Sequence, residues 1–399
     1  MGSDIFHLLD KYMGRTRIMV CIVSNRPNLL DRNLMKQAEE IDENTLMCIM
    51  TDANCVKGNE PFVSKVSGLN KNVIQIDFDS ILLELKKNRS DIPWDNIVSS
   101  RLSGKKNLAL AIAHKMGADI IFLEDDVTPM KGWFHRYKSL FDEGYDLITG
   151  VFLGQNASYL DLFSKICDTV SSAHSMGEIE EKISSLLKRR PKSLMSIESA
   201  ILLTGGNMGI SKDLCEKLCF PPTDYRNDDI NYWIAATRLE IRCPYNEMLK
   251  NPDRYDEIIK KLPFVIHENE PIQKNQFING FIRDIKTQIT GKAVAEYILG
   301  GSRLDWGSIL KSAYTMGKRN EERIQEKIEK LKIDFRRMKE NKDRNETKES
   351  LENLNELERI CAISPGDYYV TEKEIKFEVE RYHTAREYWG ALIRAVKEL

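Results

Sequence analysis

From residue 17 to about residue 270, short apolar runs alternate with amphipathic segments. Arg17–Val23, rich in Ile, Val and Met, reads as a strand that stops at the turn signal Ser24-Asn25-Arg26-Pro27, with a helix through Glu40 beyond it. Thr45–Met50 is a second strand, ending at Thr51-Asp52, and Asn72–Ile76 a third. Leu108, Ile112 and Met116 recur at helical spacing, which predicts a helix over Lys105–Met116. Asp119–Leu123 reads as a fourth strand and Tyr145–Phe152 as a fifth. This β-α-β rhythm predicts an α/β fold with a mostly parallel sheet flanked by helices. Such sheets take ligands at the carboxyl ends of their strands, so the residues just after each apolar run carry the functional interest.

Two other regions break the rhythm. Residues 155–195 read as a helical insertion: Leu160, Phe163, Cys167 and Val170 lie on one helical face, and a second helix ends in Lys188-Arg189-Arg190-Pro191-Lys192. That basic run suits a solvated helix end or a contact with phosphate or an acidic acceptor. Beyond about residue 317, Ile324, Ile328, Leu331, Phe335 and Met338 follow 4-3-4-3 spacing. A polar stretch, Asn341–Asn345, is expected to turn, and Leu351, Leu354, Leu357 and Cys361 form a second stripe. The two seams predict an antiparallel hairpin over about 317–361, packed on its own domain or on a second copy of the chain. Ser364-Pro365-Gly366-Asp367 breaks the helix, and Phe377–Leu399 is a last amphipathic helix carrying Tyr382, Trp389, Ile393 and Val396. The expected organisation is a sheet domain over 1–270 and a C-terminal helical region over 271–399.

Composition narrows the classes. The 399 residues are 42% hydrophobic and 30% charged, ordinary for a globular chain of more than one domain. The net charge of -2 gives no electrostatic case for nucleic acid. No run approaches the roughly 20 apolar residues that span a bilayer, and the N-terminus has no long apolar stretch. The eight cysteines are scattered without a C-x-x-C pair, and they read as reduced thiols. A cytoplasmic location is expected, with a peripheral place at the membrane surface left open.

The chemistry concentrates after the fourth strand. Ile120-Ile121-Phe122-Leu123 delivers Glu124-Asp125-Asp126 to a strand end, followed by Val127-Thr128-Pro129, where Pro129 is expected to open a helix. Three adjacent carboxylates repel one another unless a cation compensates, and Mg²⁺ or Mn²⁺ takes carboxylate and phosphate oxygens. The plainer reading is a solvated acidic turn capping the next helix. Further on, Leu202–Ser211 reads as a strand, the glycine turn Gly205-Gly206 and another short strand. Asp228-Asp229 precedes an expected helix over Ile230–Thr237, where it suits N-capping. His267 ends the apolar run Pro263–Ile266. A lone histidine there reads as structural or simply exposed.

Taken in order, these segments resemble GT-A glycosyltransferases, especially glycosyltransferase family 2. Leu123-Glu124-Asp125-Asp126 resembles the family's DXD motif. Arg101, Gly104-Lys105-Lys106-Asn107-Leu108-Ala109-Leu110 and Gly117-Ala118-Asp119 resemble the helix and Gly-Asp that precede it. Ile22-Val23-Ser24-Asn25-Arg26-Pro27 resembles the first strand and its nucleotide-facing turn. The resemblance implies a metal-dependent transfer of a sugar from a UDP- or GDP-linked donor to a hydroxyl acceptor of unspecified kind. It implies that Glu124 and Asp126, with the downstream His267, hold Mn²⁺ or Mg²⁺. It places Ser24, Asn25, Arg26, Asp52, Arg101, Lys105, Lys106, Asp125, Gly205, Gly206 and Asn207 on the donor. Asp228-Asp229 stands for the family's Glu-Asp base motif, with Asp for Glu at 228 and Asn231 where an acid is common; the base would be Asp229. A sugar-phosphate nucleotidyltransferase is the second enzymatic reading, disfavoured because the turn after the first strand lacks glycine. A non-catalytic assembly protein is the third, disfavoured by the intact acidic triplet.

Overall fold

The fold is that of a computed structural model, which describes residues 7, 9–26, 31–69, 71–98, 102–154, 158–188, 206–225, 227–267, 276–340 and 348–398. It is a mixed α/β protein whose described residues group into two compact units. Met1–Gly154, Leu194–Glu268 and Glu378–Leu399 form the first, and Gln155–Ser193 with Asn269–Phe377 the second.

The first unit is built on a six-stranded sheet. Its strands are β1 (Ile18–Ser24), β2 (Thr45–Thr51), β3 (Asn72–Asp77), β4 (Asp119–Leu123), β6 (Leu147–Thr149) and β8 (Asn207–Ile210), in the order β3-β2-β1-β4-β8-β6. The first four are mutually parallel, whereas β8 runs antiparallel to both β4 and β6. All seven residues of β2 are buried, as expected of a central strand covered on both faces. A second sheet of three strands, β5 (Val127–Pro129), β7 (Val151–Leu153) and β9 (Phe264–His267), has the order β5-β9-β7. The mostly parallel sheet expected from the sequence is therefore present.

Two local expectations are corrected. The apolar run Tyr145–Phe152 is not one strand but two, β6 in the large sheet and β7 in the small one. The break falls at Gly150, whose N–H bonds Asn207 O at 2.8 Å, and where any Cβ would lie 2.1 Å from Asn207 Nδ2. Nor does Pro129 open a helix. It ends β5, an edge strand that tolerates its missing N–H, and the next helix, Trp133–Asp142, begins after Gly132 at φ +82°.

The second unit is helical. Tyr159–Ser172 and Met176–Lys188 come from the insertion, followed by Gln276–Leu299, Trp306–Glu340 and Lys348–Cys361. Of the heptad seam, Ile324, Ile328, Leu331 and Phe335 are buried, as is Leu357 of the second stripe. The long helix packs along Gln276–Leu299 and Tyr159–Ser172 as well as Lys348–Cys361. Phe163 meets Phe281 with ring centroids 4.7 Å apart, and Gly280 lets Tyr159 lie where a Cβ would stand. The expected turn at Asn341–Asn345, the side chains of Met338, Leu351 and Leu354, and all of the basic run after Lys188 lie outside the described residues.

The last helix, Glu372–Glu398, has its first six residues in the second unit and the remainder in the first. There Tyr382, Trp389, Leu392, Ile393 and Val396 are buried, and Trp389 Nε1 donates to Cys215 O at 3.2 Å. Among the described residues, no helix is long and apolar enough to cross a membrane.

Candidate metal centre and its neighbours

Strand β4 carries the acidic triplet to the carboxyl edge of the large sheet, where Leu123 pairs with Ile22 of β1 on one side and Asn207 of β8 on the other. The loop backbone is then pinned. Glu124 N donates to Gly206 O at 3.3 Å, and the buried Gln37 amide donates to Glu124 O at 3.4 Å and Val127 O at 3.3 Å. Gly206 is close-packed for a reason: a Cβ there would stand 2.5 Å from Glu124 Cδ. Asp125 and Asp126 share the Arg26 guanidinium and differ in their other partners. Asp125 accepts from the Ser24 hydroxyl and lies 3.1 Å from Arg26 Nη1. Asp126 Oδ2 accepts from Arg26 Nη2 at 3.1 Å and lies 3.4 Å from His267 Nε2.

His267 arrives through register. Strand β9 runs antiparallel to β5 with Val127 opposite His267, so the imidazole stands beside the residue preceding Val127. One ligand atom each from Glu124, Asp126 and His267 then fall within 4.8 Å of one another. Asp126 Oδ1 is buried and has no hydrogen-bond partner among the described residues. A buried carboxylate oxygen without a donor is costly, and a cation supplies what is missing. Two carboxylates and an imidazole thus fit a divalent metal.

The charges respond to this crowding. Glu124 is accessible to solvent yet hemmed in by protein, and the resulting loss of water, with the Asp126 charge beside it, pushes its carboxyl up to about 7. Burial acts the same way on Asp126, but the hydrogen bonds and charges of His267 and Arg26 outweigh it and hold that carboxyl below its usual range. A bound cation acts on both in the direction of ionisation.

Asp228 and Asp229 lie in the first turn of the helix Asp228–Thr237, where carboxylates suit the dipole, and the N-cap position itself is Asn227. Both side chains turn to Lys106, whose ammonium donates to Asp228 Oδ2 at 2.9 Å and Asp229 Oδ1 at 2.6 Å. Burial and the neighbouring Asp229 charge push Asp228 up to about 6, against the pull of Lys106. The charges of Asp229 and Lys106 also act on Glu124, so the two acidic clusters share one field. Lys106 rests 5.0 Å over the Phe220 ring, which stacks on Tyr232 of the same helix at 4.2 Å. Asn107, fully buried, holds that segment by accepting from Phe220 N at 2.7 Å and donating to Phe220 O and Ile97 O at 3.0 Å.

Of the residues expected on the donor, Ser24, Asn25, Arg26, Asp52 and Asp125 are gathered at the carboxyl ends of β1, β2 and β4. Lys105 is there too, but its side chain is fully buried. Its ammonium lies 2.5 Å from Asp52 Oδ1 and also donates to Asn25 Oδ1, tying the ends of β1 and β2 together. Lys106 is likewise committed to carboxylates. The Asn207 side chain turns inward instead of toward a pocket. It accepts from Tyr137 Oη at 2.8 Å and donates to Val151 O and Pro263 O at 3.1 Å, bridging the two sheets. Arg101 and Gly205 lie outside the described residues. Gln37 is a support that the sequence does not mark: a single amide in an amphipathic helix looks like any solvated polar residue.

No family model matches the chain, and no curated protein matches it. Solved structures with a related outline include a mycobacterial protein, with a TM-score of 0.37 and 10% identity over 72% of this chain and 78% of that one. Another is apo mouse xyloside xylosyltransferase 1, with a TM-score of 0.25 and 10% identity over 57% of this chain and 77% of that one. Likeness at this level assigns no activity, and the functional reading stands on the site.

Proposed function

We propose that this protein is a metal-dependent glycosyltransferase that moves a sugar from a nucleotide-sugar to a hydroxyl acceptor with inversion. The observation that carries the reading is the convergence of Glu124 and Asp126, from the loop after β4, with His267, from the end of β9, within 4.8 Å at the carboxyl edge of a mostly parallel sheet. A second carboxylate pair, Asp228 and Asp229, lies within its field. Glu124, Asp126 and His267 would hold the metal. The mixed oxygen and nitrogen set suits Mn²⁺ better than Mg²⁺, which keeps to oxygen. When bound, the cation neutralises charge that develops on the departing diphosphate.

The chain's own residues do the rest. Asp52 and Asn25, braced by Lys105, form the nucleoside side of the site, and Arg26 stands at the rim as the cation nearest the phosphates. Asp229 takes the proton of the acceptor hydroxyl as that oxygen bonds the anomeric carbon and the bond to the diphosphate breaks. One displacement gives one inversion. Among the two aspartates, Asp229 is the more open, with 21% of its side chain exposed against 11% for Asp228.

The test is a donor panel. UDP- and GDP-linked hexoses are incubated with Mn²⁺, Mg²⁺ or chelator and no acceptor, and the released nucleoside diphosphate is measured. Slow Mn²⁺-dependent hydrolysis of one donor class is expected. No hydrolysis of any donor, together with no calorimetric binding of UDP or GDP in Mn²⁺, removes the proposal.

A further inference from the structure

From its place before the acidic strand, Lys106 looks like a cation for the donor's phosphates. Its surroundings describe a different task. The side chain is only 11% exposed, and the ammonium is held on three sides: by Asp228 Oδ2, by Asp229 Oδ1 and by the face of Phe220. Phe220 is itself fixed, stacked on Tyr232 and gripped at both backbone polar groups by Asn107, the residue after Lys106. The lysine, its aromatic floor and the two aspartates therefore form one braced assembly spanning the helices Leu102–Met116 and Asp228–Thr237.

We propose that Lys106 is a positioning residue that aims the Asp229 carboxylate at the acceptor, and that it is not a ligand of the donor. The inference rests on the reading of Asp229 as general base. Asp228 and Asp229 are neighbours in one helical turn, and their like charges oppose each other. One ammonium between them offsets part of that repulsion. By engaging Asp229 through Oδ1 it also fixes the plane of the carboxylate. To reach a phosphate, Lys106 would have to leave both aspartates, one of them buried, without their cation. Its neighbour Lys105 shows the same pattern, bound to Asp52 and Asn25. Two consecutive lysines thus brace acidic groups, and Arg26, itself paired with Asp125 and Asp126, is more open than Lys106, with 35% of its side chain exposed against 11%.

The experiment is a cycle of Lys106→Met, Asp229→Asn and the double variant, with Lys106→Arg as a variant that keeps the charge. Thermal melting needs no substrate. Lys106→Met is expected to lower the melting temperature, and adding Asp229→Asn to recover part of the loss, since the unpaired charge is then gone. Simple addition of the two shifts overturns the proposal. Calorimetry with UDP and GDP in Mn²⁺ should give Lys106→Met and Lys106→Arg affinities within about twofold of the parent protein. Hydrolysis of the donor that the panel identifies should fall about a hundredfold in Lys106→Met, the scale of a misplaced catalytic group, and less in Lys106→Arg. In the Asp229→Asn background, Lys106→Met should cost little more. A tenfold or greater loss of nucleotide affinity at unchanged turnover makes Lys106 a phosphate ligand after all. Full turnover in Lys106→Met beside a crippled Asp229→Asn sinks the role of Lys106 alone. Full turnover in Asp229→Asn sinks the base reading, and this inference with it.

Discussion

At the scale of single residues, the two oxygens of Asp126 are treated differently. Oδ2 takes Arg26 and His267, while Oδ1 is buried with no hydrogen-bond partner among the described residues. That asymmetry makes Asp126 the residue on which the metal reading turns. Asp126→Ala is expected to abolish Mn²⁺-dependent binding of UDP or GDP in calorimetry while the melting temperature stays near that of the parent. Unchanged nucleotide affinity in that variant ends the metal assignment. Asp229→Asn separates the chemistry from the binding: turnover should fall by about 10²–10⁴, the usual worth of a general base, with nucleotide affinity nearly constant. The carboxylates themselves were readable because a contiguous acidic triplet after an apolar strand is an unusual pattern. Their supports were not. Gln37 bonds backbone carbonyls 87 and 90 residues away and Asn107 bonds Phe220 113 residues away, and nothing local announces either contact.

At the scale of elements, register does what composition cannot. Apolar runs and turn signals marked β1 to β4 to within a residue or two, because buried parallel strands read as continuous hydrophobic stretches. His267 stood out only by its order along the chain. Its approach to Asp126 comes from a three-residue pairing, Val127 with His267 through Pro129 with Val265, that no pattern in either segment announces. The same holds for the split of Tyr145–Phe152 into β6 and β7, which follows from the Asn207 side chain lying against Gly150. Gly206 joins this level to the site. It precedes β8 and passes beneath Glu124 with no room for a Cβ, whose nearest neighbours would be Glu124 Cδ, Cγ and Oε2 at 2.5, 2.6 and 2.8 Å. Glu124 is accessible and can swing aside, so Gly206→Ala should fold. The displaced carboxylate should weaken Mn²⁺ binding about 10–100-fold, the scale of losing support for a metal ligand. Parent-like Mn²⁺ affinity in a folded Gly206→Ala protein means that Glu124 is not a ligand.

At the scale of the whole chain, the first unit is left at Gly154, regained at Leu194, left again after Glu268 and rejoined at Glu378. The sequence signals the departures through helical spacing and a heptad seam. It does not signal the return, because Phe377–Leu399 has the same amphipathic character as the helices before it. The residues on that return are not peripheral. Tyr382, Leu392 and Val396 are fully buried, Trp389 and Ile393 nearly so, and Trp389 donates to Cys215 O. Arg381 Nη1 binds Asp224 Oδ1 at 3.0 Å, and the Glu378 carboxylate accepts from Asp224 N, four residues before Asp228. Burying each large apolar side chain contributes roughly 1.5–3 kcal/mol, so five of them rival the entire 5–15 kcal/mol that holds a typical domain together. A protein ending at Phe377 is therefore expected to lose the cooperative melting transition of the sheet unit and to accumulate insoluble. A milder change isolates the link to the acidic pair. Arg381→Met removes the cation from Asp224 and from Glu378, whose carboxyl burial already pushes upward, while leaving the apolar face intact. It should lower the melting temperature and reduce donor turnover through a looser approach to Asp228 and Asp229, with Mn²⁺ affinity at Glu124, Asp126 and His267 unchanged. A soluble, cooperatively melting protein that ends at Phe377 and turns donor over at the parent rate would show that the last helix is dispensable to the site, whatever it buries.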